Sequence, residues 1–172
     1  MKRAFSFFAA MMLIFAAGCE KQPVNDGSQT VLPKAFSCVI EAEYKDVLST
    51  AEFTQTSFGN GKIRFLTPEI LKPLELTFTD EKCNVVYDSL EFETDPKRFP
   101  QAEFCSVLIQ TLVYTETGID IEKTVKNGVI SYRGSCEHGV FVLKQDAVSG
   151  ALTEFESESY GLYIKFKDFK TE

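Results

Sequence analysis

Alternation of apolar and polar residues with a period of two runs through most of the chain and narrows the choice of folds. The clearest stretch carries on its apolar side Phe36, Cys38, Ile40, Ala42 and Tyr44. Glu41 and Glu43 fall on the other side of the same stretch. Since successive side chains of a strand point to opposite faces, this pattern predicts a strand with one buried face and one wet face. The chain is therefore expected to form a mainly β, antiparallel sheet with one face in water.

Further strands, and the turns between them, follow from the same pattern. The apolar positions of three more alternating stretches are Ile63 and Phe65; Leu74, Leu76 and Phe78; and Leu162, Ile164 and Phe166. Turn signals separate these stretches, and Asn127-Gly128 is a strong one because both residue types accept a positive φ in a tight hairpin. The strands are expected to follow one another as a meander. The apolar positions change from odd-numbered to even-numbered residues near Asp88-Ser89, which predicts a bulge or a bend there that would curve the sheet.

One segment departs from the alternation. Phe104, Leu108 and Leu112 recur at intervals of four residues, and Pro100 suits the first turn of a helix. The spacing predicts a helix over about residues 100–115, which makes the fold α+β with mainly β structure. A strand is the alternative, because the segment is also rich in residues that favour strands.

The composition limits the chemistry that the chain can support. The 172 residues fit one domain of ordinary size, and 18 Lys and Arg against 25 Asp and Glu give a net charge of −7. An acidic surface repels phosphate backbones, so nucleic acid is not an expected partner. His138 is the sole histidine, and neither a metal site nor a cofactor is expected. Cys136-Glu137-His138 brings a thiol close to an imidazole, but the flanking glycines favour a turn, and the protein is not expected to be an enzyme.

The first 18 residues have the pattern of an export signal. Two basic residues follow Met1, and a run of 15 apolar and small residues extends from Ala4 to Gly18. A helix of that length spans about 22 Å, short of the ~30 Å hydrocarbon core that a transmembrane helix crosses. The run ends in Phe15-Ala16-Ala17-Gly18-Cys19, which resembles a bacterial lipobox. Residues 1–18 are therefore predicted to be a lipoprotein signal peptide.

The resemblance to a lipobox implies that Cys19 becomes the first residue of the mature protein and carries a diacylglyceryl group. Two acyl chains hold a protein durably on a membrane, so it is expected in the cell envelope, facing outside the cytoplasm. Residues 19–34 are then the lipidated cysteine and a flexible tether, and residues 35–172 are the folded domain. The alternative is an ordinary secretory signal cleaved near Ala17, which leaves Cys19 as a plain thiol.

Four further cysteines lie in the predicted domain. They are Cys38, Cys83, Cys105 and Cys136. Their spacing contains no C-x-x-C pair, which argues against a zinc ribbon or a thioredoxin-like motif. An even number in an exported domain is typical of two disulfides, with three pairings open. Buried free thiols are the alternative.

Four passages, taken in order, resemble one known family. They are Gly61 to Leu71, a glycine, strand, proline and short turn; Asn84 to Leu90, a strand; Phe99-Pro100, which opens the helix; and Lys144 to Thr153, a strand, Asp-x-x-x-Gly hairpin and strand. This order resembles the LolA/LolB-like half-barrel proteins, which include the LppX-like envelope lipoproteins. The resemblance implies an incomplete barrel with a helix across its concave face, here a half-barrel domain over residues 35–172.

The resemblance also implies a function. The concave interior is expected to hold a lipid or another apolar ligand, and the residues expected to line it, or to pack as its core, are Ile63, Phe65, Leu76, Phe78, Leu108, Leu112, Ile164 and Phe166. A protein held by its own acyl chains cannot ferry cargo across an aqueous gap, but it can receive, hold or present it. The second hypothesis is a non-catalytic interaction or envelope-stress regulatory module without a cavity, which contacts an envelope protein partner.

Overall fold

The computed structural model describes residues 31–79, 82–137 and 139–171. Within these ranges eleven strands form one antiparallel sheet: β1 (Phe36–Tyr44), β2 (Val47–Ser57), β3 (Asn60–Thr67), β4 (Leu74–Thr79), β5 (Lys82–Tyr87), β6 (Leu90–Thr94), β7 (Glu122–Lys126), β8 (Val129–Cys136), β9 (Gly139–Asp146), β10 (Leu152–Ser157) and β11 (Leu162–Thr171). One α-helix, α1 (Pro100–Thr117), lies between β6 and β7. Three short 3-10 helices span Glu69–Leu71, Pro96–Arg98 and Glu158–Tyr160.

The sheet consists of two meanders that meet in its middle. Strands β1 to β6 pair in chain order on one side, strands β7 to β11 pair in chain order on the other, and β1 pairs with β11. Strands β6 and β7 are the two edges and do not pair with each other. The sheet therefore curves without closing, as the sequence predicted, and α1 connects its two edges.

The predicted alternation is confirmed along the strands. All five apolar side chains that the sequence placed on one face of β1, from Phe36 to Tyr44, are buried, and so are Ile63 and Phe65 of β3. The other face of the sheet is wet and carries cross-strand ion pairs. These pairs are Arg64 with Glu52, Lys62 with Glu75, Lys82 with Glu93, Lys144 with Glu154 and Lys167 with Glu41. Opposite charges on neighbouring strands favour the observed register, although each exposed pair contributes little stability.

Of the bulge or bend predicted near Asp88-Ser89, the bulge is wrong, because the chain turns back on itself there. These two residues form the turn of the β5–β6 hairpin, in which Tyr87 pairs with Leu90. Residues that pair across a two-residue turn point to the same face, so the apolar parity changes from odd to even numbers without a bulge. The irregularities that bend the strands lie elsewhere, between Ser37 and Val39, Thr50 and Ala51, Gln55 and Ser57, and Leu152 and Glu154.

Two other local predictions are confirmed. Asn127 and Gly128 form the tight turn between β7 and β8, and their φ angles are +52° and +77°. The segment after Phe99 is a helix rather than a strand, and it extends two residues beyond the predicted 115, to Thr117. Tertiary burial overrides the strand propensity of this segment, because a helix satisfies its own backbone hydrogen bonds while its apolar side chains pack on the concave face of the sheet.

Helix α1 is buried around most of its circumference. Its buried residues are Ala102, Phe104, Cys105, Ser106, Val107, Leu108, Ile109, Thr111, Leu112 and Thr115. Successive residues of a helix point about 100° apart, so the unbroken buried run from Phe104 to Ile109 faces every direction. The sheet therefore wraps around the helix. The predicted stripe of Phe104, Leu108 and Leu112 required burial on one side of the helix only.

Candidate functional site

The eight residues that the sequence placed in the interior all lie between the sheet and α1. Ile63 and Phe65 are on β3, Leu76 and Phe78 on β4, Leu108 and Leu112 on α1, and Ile164 and Phe166 on β11. All eight are buried. Burial fits both ligand lining and plain core packing, so a ligand-lining role for these residues stays a prediction.

An apolar pocket opens at the end of the sheet where β1 turns into β2. It is about 200 Å³ in volume and is lined by Tyr44, Lys45, Val47, Ser49, Leu71, Gln101 and Phe104. We call it the mouth pocket. Three separate parts of the chain form it: the β1–β2 hairpin, the short helix after β3, and the first turns of α1. Its apolar walls continue into the core, because the Phe104 ring lies 6.0 Å from the Phe65 ring and 5.6 Å from the Tyr44 ring.

Polar groups at the rim of the mouth pocket fix the start of α1. The Tyr44 hydroxyl donates a hydrogen bond of 2.9 Å to Glu103 Oε2, and Lys45 Nζ lies 3.8 Å from the same oxygen. Burial raises the pKa of Tyr44, and the hydrogen bond to Tyr44 raises the pKa of Lys45. At neutral pH the pocket therefore presents a neutral phenol and a charged ammonium group beside apolar walls.

Sequence reasoning missed the mouth pocket as a site. It assigned Tyr44 to the buried face of β1 and Phe104 to the buried stripe of the helix, and both assignments are correct. Lys45 and Gln101 carried no signal, because only the tertiary fold brings the three segments together. One signal was Ser49, a small polar residue that leaves space on the inward-facing side of β2.

The opposite end of the interior is closed by residues 31–34, which we call the strap. Gln55 Nε2 on β2 donates to the Lys34 carbonyl at 3.1 Å, and Gln145 Nε2 on β9 donates to the Val31 carbonyl at 3.5 Å. Both glutamine side chains are fully buried, and Leu32 between them is buried as well. Two strands on opposite sides of the sheet therefore hold the same short segment across the concave face.

The other depressions described include charged side chains in their walls and lie outside the interior. Two of them, of about 290 and 440 Å³, lie on the wet face of the sheet and include charged residues such as Glu43. A third, of about 280 Å³, is lined by Asp95, Pro96, Lys97, Ser106, Gln110 and Glu137. Charged walls do not suit an apolar ligand, so the mouth pocket is the candidate site despite its smaller volume.

The four cysteines of the domain are free thiols, and three of them are buried. Burial raises the pKa of Cys38 and of Cys83 to about 12. Burial also raises the pKa of Cys105, and the neighbouring Cys83 raises it further. Cys136 is partly exposed and its Sγ lies 3.9 Å from the Gly139 carbonyl oxygen. The structure has none of the three disulfide pairings among these four thiols, and the disulfide state of the protein stays a prediction.

Several predictions concern residues outside the described ranges. They are the signal peptide of residues 1–18, the lipidated Cys19, most of the tether of residues 19–34, and His138. Within the described residues, no helix is long and apolar enough to cross a bilayer. The same residues include no group of three or more His, Cys, Asp or Glu side chains arranged to hold a metal ion.

Comparison with known proteins shows similarity at the level of the fold. No protein-family model matches the sequence, and no curated protein matches it significantly. An uncharacterised conserved protein from Thermus thermophilus matches with a TM-score of 0.51 at 10% identity, over 82% of this chain and 80% of that one. This match shows that the fold occurs in a solved structure.

Two further solved structures are similar at a lower score. A LolA superfamily protein from Nitrosomonas europaea matches with a TM-score of 0.44 at 10% identity, over 84% of this chain and 90% of that one. A DUF1329 family protein from Desulfovibrio piger matches with a TM-score of 0.48 at 10% identity, over 84% and 88%.

The thiols give a direct chemical test of this arrangement. A thiol with a pKa of about 12, as for Cys38 and Cys83, is roughly one part in ten thousand thiolate at pH 8, and thiolate is the reactive form. In a soluble form comprising residues 20–172, iodoacetamide at pH 8 should modify Cys136 alone, and a Cys136→Ser variant should stay unmodified. After unfolding in urea without reductant, all four cysteines should react, as counted by mass spectrometry. Fewer adducts after unfolding would show that disulfides exist.

Proposed function

We propose that this protein is a membrane-anchored envelope lipoprotein whose half-barrel binds a lipid or another apolar chain through the mouth pocket. The observation that carries the proposal is the mouth pocket itself, an apolar opening of about 200 Å³ that leads to the buried Phe65 and Phe104 rings. An apolar chain that enters there leaves water for aromatic and aliphatic surface, which is the main favourable term in such binding.

The distribution of polar groups around the pocket fits an amphiphile. Val47, Leu71 and Phe104 supply apolar wall, and the polar atoms belong to rim residues such as Lys45 and Gln101. An acyl chain would lie against the apolar walls, and its polar head would stay at the rim, where the Lys45 ammonium and Gln101 amide can donate hydrogen bonds. This division of apolar wall and polar rim is typical of sites that orient a lipid by its head group.

The size of the mouth pocket sets a condition on binding. Its volume of about 200 Å³ is below the roughly 300–1,000 Å³ of typical ligand sites. It can hold only the end of a long acyl chain while α1 fills the interior. Deeper binding therefore requires the start of α1 to move, which breaks the Tyr44–Glu103 hydrogen bond and separates the Phe104 and Phe65 rings.

A charged side chain in the mouth should weaken ligand binding. Val47 is 57% exposed, so Val47→Asp should leave the fold intact and place a carboxylate beside the entering chain. Burying that charge against an acyl chain should weaken binding of a fluorescent fatty acid by about tenfold or more, measured by fluorescence titration of the 20–172 form. Val148→Asp, at an exposed position far from the mouth, is the matched control and should bind like the parent. Equal affinity of both variants would contradict the proposed entrance.

The membrane anchor in this proposal rests on the sequence around Cys19. The apolar run that ends in Ala16-Ala17-Gly18-Cys19 and the polar residues after it support lipidation at this cysteine. An anchored binding protein holds or presents its ligand near a membrane and does not diffuse between membranes. The proposed role is binding, without catalysis and without a cofactor.

Metabolic labelling tests the anchor. Cells grown with radioactive palmitate should incorporate label into the protein, and Cys19→Ser should abolish that label, because acyl chains attach to the lipobox cysteine. Cys136→Ser removes a partly exposed thiol of the folded domain and should leave the label unchanged. A parent protein without label would refute the anchor while leaving the half-barrel binding site to its own test.

The second candidate function is a protein-interaction or envelope-stress regulatory module, and the filled interior favours it. Edge strand β6 carries exposed Leu90 and Phe92, and edge strand β7 carries exposed Val125. Unpaired edges with apolar side chains can accept a strand from a partner protein. Crosslinking in intact cells that captures one dominant protein, together with no uptake of fatty acid by the purified protein, would favour this module over the lipid-binding role.

A further inference from the structure

The end of the domain opposite the mouth brings together the strap and two hairpin turns. Gln145 Nε2 donates to the Gly150 carbonyl at 2.8 Å as well as to the Val31 carbonyl at 3.5 Å, which joins the β9–β10 turn to the strap. The Ala147 amide donates to the Gly128 carbonyl at 2.8 Å, which joins that turn to the β7–β8 turn. We call this end the strap pole.

Two apolar side chains project from the strap pole. Val148 at the tip of the β9–β10 turn is 93% exposed, and Val31 in the strap is 73% exposed. The turn is firmly built, because the Asp146 carboxylate accepts hydrogen bonds from the Val148 amide at 3.1 Å and the Ser149 amide at 2.7 Å. Val148 is thus held in water by a turn whose backbone is fixed by hydrogen bonds, at the same end of the domain as the exposed Val31.

Lysine side chains flank these apolar groups. Lys34 belongs to the strap, Lys126 precedes the β7–β8 turn, and Lys170 lies near the end of β11 beside the start of β1. All three are exposed, and none forms an ion pair with another described residue. By contrast, cross-strand partners neutralise lysines such as Lys62 and Lys167 on the wet face. Exposed apolar tips with flanking lysines fit the phosphate layer of a bilayer.

The chain connection gives a second, independent reason to place a membrane here. If Cys19 carries the anchor, as the proposed function holds, twelve peptide units join it to Val31 and cannot span more than about 43 Å. The strap delivers the chain to the strap pole, whereas the mouth lies at the other end of β1. Along β1, Phe36 and Tyr44 are about 26 Å apart at the usual rise per residue. The strap pole can contact the bilayer without extension of the chain between Cys19 and Val31. Contact of the mouth with the bilayer would require that chain to span most of its maximum length.

We infer that the strap pole rests on the bilayer that holds Cys19 and that the mouth pocket faces away from this membrane. Val148 and Val31 then enter the interfacial layer, and Lys34, Lys126 and Lys170 contact lipid phosphates. The inference rests on the anchored lipid-binding role proposed above and adds a direction to it. The anchored protein exchanges its ligand with a partner on the far side of the domain and not with its own membrane.

Tryptophan fluorescence can test this orientation, because the parent chain contains no tryptophan. Val148→Trp and Leu48→Trp each introduce a single fluorophore at an exposed position, the first at the strap pole and the second at the start of β2 beside the mouth. The lipidated proteins are reconstituted into vesicles of phosphatidylcholine and phosphatidylglycerol that contain brominated acyl chains. Quenching of Val148→Trp should exceed that of Leu48→Trp by about twofold or more, because bromine quenches only fluorophores within the bilayer. Stronger quenching of Leu48→Trp, or equal or absent quenching of both, overturns the inference.

Charge reversal supplies the matched comparison. In the Val148→Trp protein, replacing Lys34 and Lys126 by Glu should reduce quenching by about half or more on vesicles that contain phosphatidylglycerol. Lys72→Glu, at an exposed lysine beside the mouth, should leave quenching unchanged; an equal loss in both would contradict a lysine contact at the strap pole.

Mass spectrometry of the same samples shows whether Cys19 carries acyl groups. Their absence refutes the anchor, whereas a lipidated protein without Val148→Trp quenching refutes only the orientation.

Discussion

Burial of α1 inside the curved sheet holds the whole domain together. The sheet has two open edges, so its concave face would be exposed to water without the helix. Each large apolar side chain that the helix and sheet bury together stabilises the fold by about 1.5–3 kcal/mol. Phe104 shows how local the fit is, because its ring contacts Tyr44 of β1 and Phe65 of β3 at the same time. The helix thus forms the centre of the hydrophobic core, and it occupies the interior in which a ligand would bind.

The two ends of the interior differ in chemistry, and this difference gives the molecule a direction. At one end the apolar mouth pocket is bordered by a neutral phenol and an ammonium group from Tyr44 and Lys45. At the other end buried amides of Gln55 and Gln145 hold the strap by its carbonyl groups. Unpaired buried amides are costly, so these two glutamines favour a closed strap. An apolar chain that entered through the mouth pocket would pass the first turns of α1, which supply Gln101 and Phe104 to its lining.

The sequence carried enough information for the fold class, for several strands and for the helix, but not for the site. Period-two alternation identified β1, β3, β4 and β11 because a half-buried strand imposes that pattern directly. The helix was identified from its spacing. Its burial around most of its circumference could not be predicted, because the spacing of apolar residues does not show how many faces of a helix the rest of the fold covers. The bulge predicted near Asp88 was wrong because a two-residue hairpin turn also changes the inward-facing apolar positions from odd-numbered to even-numbered residues. The mouth pocket stayed hidden because Lys45, Leu71 and Gln101 meet only through the tertiary fold.

Hydrogen exchange of α1 with and without a bound fatty acid would show whether the helix gives way to a ligand. If the interior admits an apolar chain only when the helix moves, backbone amides in the first turns of α1, around Phe104, should exchange faster in the complex. Amides of β1 and β11, which pair at the centre of the sheet, should keep their protection in both states. Saturating binding of fatty acid with unchanged exchange throughout α1 would contradict this mode of entry, because it would mean that the ligand binds without displacing the helix.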